Sequence, residues 1–217
     1  MTPPAVIFDL WGTLVPAAWE RWRAGLAAMA EAAGLPLDRF EPAWRGAYER
    51  RLVSDLRANV DEVCRSLGVT SEEAIAEVFR LRVQMHRDTF RPREDAASTL
   101  RELRARGHKT GLVTNCSSEV PGLLKESELS GLFDVEVYSA VSGVRKPESA
   151  IYELATRGIG LDPALCLYLG DGDDRELEGA RDFGMSAILL ESRDTHPPDG
   201  WKGARIARLS ELLALVP

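Results

Sequence analysis

The sequence predicts an α/β protein, a three-layer parallel-sheet core with an all-helical segment inserted after its first strand. Three observations lead there. The run Ala5-Val6-Ile7-Phe8 is too short for a helix and rich in strand formers, so it reads as a buried strand. From Pro16 to about Phe90 the apolar residues recur at helical spacing, with no strand pattern. After Pro92, short apolar runs alternate with helical stretches, the signature of βαβ units and a parallel sheet.

The first strand ends at Asp9 and is broken by Gly12-Thr13. In the helical segment, Trp19, Trp22, Leu26 and Met29 fall on one helical face, and both tryptophans are expected in the core. Ser71 before Glu72-Glu73-Ala74 reads as an N-cap with acids in the first turn, and Ile75, Val78, Phe79, Arg82 and Val83 follow. Gly34, Pro36, Gly68 and Pro92 break the pattern into three or four helices. Glu49-Arg50-Arg51 reads as a solvated face.

Beyond Pro92, a helix is expected over 95–106, stopped by Gly107, then strands over 109–114 and 135–138. A helix over 148–157 begins after Pro147, followed by a buried strand over 165–169 and a helix over 177–183. A strand over 187–190 and a short helix over 209–215 complete the pattern, and 196–200 reads as a turn cluster. The expected domains are a core of residues 1–15 and 91–217 and a helical cap of residues 16–90. No internal repeat or low-complexity segment occurs.

Composition bounds the function. The 217 residues are 45% hydrophobic and 28% charged, which excludes a disordered chain. The net charge of -7 argues against nucleic acid as a partner. No apolar run approaches the ~18 residues of a membrane helix, so no membrane association is expected. The N-terminal stretch lacks a basic n-region, so no signal peptide is expected. Cys64, Cys116 and Cys166 form no C-x-x-C pair, as in a reducing, cytoplasmic setting. The oligomeric state is not legible.

In an open parallel sheet, ligands bind at the carboxyl ends of the strands. Those ends carry Asp9-Leu10-Trp11-Gly12-Thr13, Thr114-Asn115 and Gly170-Asp171-Gly172-Asp173-Asp174, with Arg145-Lys146-Pro147 on a loop before a helix. One such aspartate is usually a turn or cap residue. Two carboxylates, a hydroxyl and one of only four lysines at one edge point to a reaction site. Cys116 has no basic partner nearby and reads as a buried, inert thiol. His86, His108 and His196 show no metal-ligand spacing.

Over nearly its whole length the chain resembles the haloacid dehalogenase-like hydrolases. Their first motif matches Asp9 to Leu14, the second Leu112-Val113-Thr114-Asn115, the third Lys146-Pro147, and the fourth Gly170 to Ala180. The resemblance implies a Rossmann-like core under a mobile helical cap, and Mg²⁺-dependent hydrolysis of a small phosphorylated metabolite. Asp9 would be the nucleophile, forming an aspartyl-phosphate. Asp9, the Trp11 carbonyl and Asp171 would hold Mg²⁺, with Glu176 supporting its water shell. Thr114, Lys146 and backbone N–H groups near Trp11, Gly12 and Asn115 would hold the phosphoryl oxygens.

Two departures stand out. Phosphatases of this family usually carry an acid/base Asp two residues after the nucleophile, where this chain has Trp11, whose indole cannot shuttle a proton. Losing a positioned acid/base costs ~10²–10⁴ in rate, least for good leaving groups such as acyl phosphates. Glu176 stands where Asp is usual. An aromatic at position 11 and Asn115 also fit the family's metal-independent 2-haloacid dehalogenases. The acids Asp171, Asp173, Asp174 and Glu176 would repel a carboxylate substrate in a metal-free site, which favours the phosphatase branch. A non-catalytic metabolite-binding relic is the third reading.

Overall fold

The computed structural model describes residues 4–194 and 200–216, so His196 and most of the turn cluster expected at 196–200 lie outside the described residues. Strand β1 (Ala5–Phe8) is followed by α1 (Trp19–Ala32), α2 (Leu37–Gly46), α3 (Tyr48–Arg51), α4 (Leu56–Ser66) and α5 (Glu72–Thr89). Then come α6 (Ala96–Ala105), β2 (Lys109–Thr114), α7 (Val120–Lys125), β3 (Val135–Tyr138), α8 (Ser139–Ser142) and α9 (Ser149–Ile159). The chain ends with β4 (Cys166–Gly170), α10 (Glu176–Asp182), β5 (Ser186–Leu190), β6 (Ala204–Ile206) and α11 (Leu212–Leu215).

The six strands form one parallel sheet in the order β3-β2-β1-β4-β5-β6. β1 lies between β2 and β4, with Phe8 in register with both Leu112 and Leu169. All four β1 side chains are buried, as a strand covered on both faces requires. Alternation along the strand divides them between two layers. Val6 and Phe8 pack with Leu100 and Leu103 of α6 and Leu123 of α7. Ala5 and Ile7 pack with Ile151 and Tyr152 of α9 and Leu177 of α10. The fold is therefore the expected three-layer α/β architecture, and none of its described helices is long and apolar enough to cross a membrane.

The five helices between β1 and α6 gather Leu26, Met29, Phe40, Trp44, Val60, Ile75 and Val78 into a third apolar cluster. Ser71 Oγ accepts from Ala74 N at the start of α5, as expected for an N-cap. The segment holds five helices rather than three or four, because α3 is a single turn without the periodicity that marks a longer helix. Trp19 is 56% exposed, contrary to its expected core position. It begins α1 and its indole Nε1 donates to Asp194 O at 3.3 Å. Arg51, expected on a solvated face, is buried because its guanidinium folds back onto the Trp44 ring, 4.2 Å from the centroid.

Element ends shift by a residue or two elsewhere. β4 starts at Cys166 because Pro163–Leu165 form a short 3₁₀ turn capped by Asp162. α9 runs on to Ile159 and stops where Gly160 turns left-handed. Helices α7 and α8 and strand β6 were not foreseen; β6 is a three-residue edge strand with two exposed residues, too short to alternate.

Candidate active site

The three strands that carry the motifs are neighbours, β2-β1-β4, and their carboxyl ends open on one edge. Asp9 follows β1 directly, with its N–H donating to Leu169 O at 2.9 Å. Thr114 ends β2, fully buried. Asp171 follows β4, and Glu176 opens α10. Lys146 reaches in from the loop before α9. Its Nζ is 2.5 Å from Asp9 Oδ1 and 2.5 Å from Glu176 Oε2.

Asn115 fixes that loop. Its Oδ1 accepts from Lys146 N at 2.8 Å, and its Nδ2 donates to Lys146 O at 3.2 Å and Asp174 Oδ2 at 2.7 Å. Tyr48 of α3 donates from Oη to the same Asp174 oxygen at 3.2 Å, linking the helical block to the site. Both Glu176 oxygens are engaged: Oε2 by Lys146 and the Tyr168 hydroxyl at 2.8 Å, Oε1 by Gly172 N at 3.1 Å. Asp174 and Arg175 hold φ of 53° and 55°, a strained conformation of the kind that clusters at functional sites. Gly12, at φ 79°, lies against the Asp171 carboxylate so closely that an added methyl would overlap Oδ2.

Asp9, Lys146, Asp171 and Glu176 thus meet, with Asn115 holding the Lys146 loop. Trp11 turns its ring into an aromatic cluster, 4.9 Å from the His86 centroid, 5.6 Å from Phe90 and 6.4 Å from Trp22. His86 is the titratable group beside it. Burial and Arg82 push its pKa down to about 4, so it is neutral, with Nδ1 2.5 Å from Glu119 Oε1. Tyr168 escaped sequence reading, because it looks like any apolar strand residue. Cys116 is buried with its thiol pushed up to about 12, the inert state expected of it.

The electrostatics are those of crowded acids. Burial raises the Asp9 pKa, and Lys146 counters this in part. Burial and the Asp9 charge raise Asp171 to about 7, and burial and Asp9 hold Glu176 well above its usual range. Burial works against the Lys146 charge, but Asp9 and Glu176 overcome it and hold the ammonium form. Oxygens of Asp9, Asp171 and Glu176 lie within 4.8 Å of one another. Fully ionised, the three carboxylates would exceed the one ammonium by two negative charges. That excess and an all-oxygen donor set suit a hard divalent cation such as Mg²⁺.

Comparison with known proteins agrees with this geometry. The family model of the haloacid dehalogenase-like hydrolases matches residues 3–184. The chain is 30% identical over 199 residues to Phosphatase MT3486 of Mycobacterium tuberculosis, covering 88% of each. It is 31% identical to a glyceraldehyde 3-phosphate phosphatase of Methanopyrus kandleri, covering 98% of this chain and 96% of the relative. The solved 2-haloacid dehalogenase of Pseudomonas syringae shares the fold at a TM-score of 0.74 and 23% identity, covering 97% and 96% of the two chains. By sequence, fold and the residues at its sheet edge, this chain belongs to the haloacid dehalogenase-like hydrolases.

Proposed function

We propose that the protein is a Mg²⁺-dependent phosphatase of a small phosphorylated metabolite. The observation that supports it best is the buried set Asp9, Asp171 and Glu176, whose oxygens lie within 4.8 Å of one another beside Lys146. Asp9, Asp171 and the Trp11 carbonyl would hold the ion, and Glu176 would act on it through water. When bound, Mg²⁺ would neutralise the charge that builds as an anionic phosphoryl group meets a carboxylate.

The chain's own residues carry the rest. The Asp9 oxygen not held by Lys146 attacks phosphorus, the leaving oxygen departs, and water later releases the phosphoryl group from Asp9. Lys146 favours the ionised form of Asp9 and, with Thr114 and nearby backbone N–H groups, holds phosphoryl oxygens as charge shifts onto them. Glu176, with both oxygens engaged, orients Lys146. Asn115 holds the Lys146 loop through both ends of its amide. Residues 16–90 act as a cap over this core, contacting it through Tyr48. With Trp11 in place of an acid, the leaving group receives no proton from that position, which favours substrates whose leaving group departs as an anion.

The test is phosphate release from aryl, acyl and alkyl phosphates, with and without a chelator. Release that chelation abolishes and Mg²⁺ restores is the expected result. Halide release from 2-halo acids without metal would place the chain in the dehalogenase branch. Silence on both panels with ligand binding retained would mark a non-catalytic relic.

A further inference from the structure

The contact between the helical block and the core holds a second buried polar cluster. Arg82 of α5 is 2% exposed and Arg51 of α3 is 6% exposed. Both guanidiniums lie over the Trp44 ring, at 4.2 Å for Arg51 and 6.0 Å for Arg82, and Arg82 also lies 5.2 Å from the Trp22 centroid. Glu119, just before α7, is the carboxylate that pairs with Arg82. Arg82 Nη1 donates to Glu119 Oε1 at 3.1 Å and Nη2 to Ser117 Oγ at 3.0 Å. Arg51 Nη1 donates to Trp44 O at 3.2 Å and Asn59 Oδ1 at 3.1 Å. His86, neutral, adds no charge.

Two guanidiniums against one carboxylate leave a single positive charge in a buried place, which is costly without a partner. The hydrogen bonds are incomplete as well. Arg82 Nε and Asn59 Nδ2 are buried donors with no acceptor among the described residues, and Glu119 Oε2 is a buried acceptor with no donor there. One more anion, with acceptor oxygens and a charge of minus one, would balance the surplus charge and give Arg82 Nε and Asn59 Nδ2 their acceptors. A carboxylate has that charge and the planar shape that guanidinium binds; a phosphate dianion would overshoot the charge.

The cluster adjoins the phosphoryl site. Ser117 lies three residues beyond Thr114. Arg51 lies 5.9 Å from the Tyr48 ring, whose hydroxyl reaches Asp174, which Asn115 ties to the Lys146 loop.

We propose that Arg82 and Arg51 form a seat for a carboxylate borne by the substrate, remote from its phosphoryl group, so that the substrate class is phosphorylated carboxylic acids. This rests on the phosphatase reading for its turnover arm only. The test compares ω-carboxyalkyl phosphates of graded length with their ω-hydroxyalkyl analogues. Wild-type kcat/KM is expected to favour the best carboxylate by roughly 10- to 100-fold, the range for a hydrogen bond to a charged group. In Arg82→Gln and Arg51→Gln that ratio is expected to fall toward one, with Arg82→Lys keeping part of it.

A wild-type ratio near one, or an unchanged ratio in both glutamine variants, overturns the seat. A parallel arm follows tryptophan fluorescence on binding ω-carboxyalkyl phosphonates against alkyl phosphonates, and needs no turnover. If no ester is hydrolysed yet the carboxylated phosphonate binds tenfold tighter, the phosphatase reading fails and the seat stands. Equal binding of the two phosphonates overturns the seat whatever the enzyme turns over. If one glutamine variant does not fold, the other carries the comparison.

Discussion

Lys146 Nζ lies 2.5 Å from Asp9 Oδ1, joining residues 137 positions apart in the chain, and both side chains are almost wholly buried. A buried pair of this kind fixes which oxygen of Asp9 Lys146 holds, and the other oxygen is outside that pair. The same ammonium contacts Glu176 Oε2, so one cation holds two carboxylates while an oxygen of a third, Asp171, lies within 4.8 Å of theirs. Each member can be tested by removal.

Asp9→Asn should abolish turnover, leaving less than ~10⁻³ of wild-type kcat, since an amide is no nucleophile toward phosphorus. Its stability should move the other way. Burial raises the Asp9 pKa, so the ionised carboxylate is disfavoured in the folded protein. Metal-free Asp9→Asn should melt at or above the wild type. Mg²⁺ should raise the wild-type melting temperature and move that of the variant little. Calorimetry with and without the ion checks this; equal shifts in both proteins would contradict a role for Asp9 in holding it.

Lys146→Ala should destabilise by about 3–5 kcal/mol at neutral pH, because it strands buried carboxylates without their counter-charge. The sign of the pH dependence follows from the raised pKa values of Asp9, Asp171 and Glu176. A carboxyl whose folded pKa is raised holds its proton in the folded state while the unfolded chain has lost it, so stability falls as pH rises between the two values. Without Lys146 that fall should steepen. Urea melts at about pH 5 and about pH 8 should show a larger loss of stability on alkalinisation in the variant than in the wild type.

Much of the core site was legible in sequence because its residues sit where backbone chemistry makes them visible. Asp9, Thr114 and Asp171 each follow an apolar run, and a run of four buried residues such as Ala5–Phe8 can be little but a strand. The partners that orient them were not legible. Tyr168 lies inside a buried strand, and nothing in Cys166–Gly170 tells that its hydroxyl meets Glu176 eight residues on. Arg51 failed for a different reason. In Glu49-Arg50-Arg51 three charged residues share one helical turn, and only the placement of Trp44 and Asn59 decides which of them turns inward. Charge runs report local composition, whereas burial of one member depends on tertiary packing.

His86 should give the fold a stability step in mild acid. Burial and Arg82 push its pKa from 6.5 down to about 4, so the folded protein keeps it neutral while the unfolded chain protonates it. Between those values the unfolded state binds more protons, so stability rises with pH, and the full drop corresponds to on the order of 3 kcal/mol. The benefit is fully present above pH 6.5 and lost as pH falls toward 4. Glu119, held at about 2 by His86 and Arg82 against its own burial, loses its contribution only below the usual carboxylate range, so the two steps separate. His86→Gln should flatten the upper step. An unaltered slope in that variant would assign the step to another group.

Trp11→Asp tests what the indole replaces. In the wild type, rates should fall steeply as the leaving group becomes more basic, because Trp11 offers no titrating proton. An aspartate there would stand two residues after Asp9, where a carboxyl group can protonate the departing oxygen. The change also removes the ring from its contacts with His86, Phe90 and Trp22, at a cost of about 2–4 kcal/mol in stability. The informative quantity is therefore the ratio of kcat/KM for alkyl over aryl phosphates, which is insensitive to the amount of folded enzyme. That ratio should rise by ~10² or more, the lower end of what a positioned acid contributes. If it stays fixed while the variant remains folded, Trp11 serves packing alone and the proton for poor leaving groups comes from elsewhere in the site.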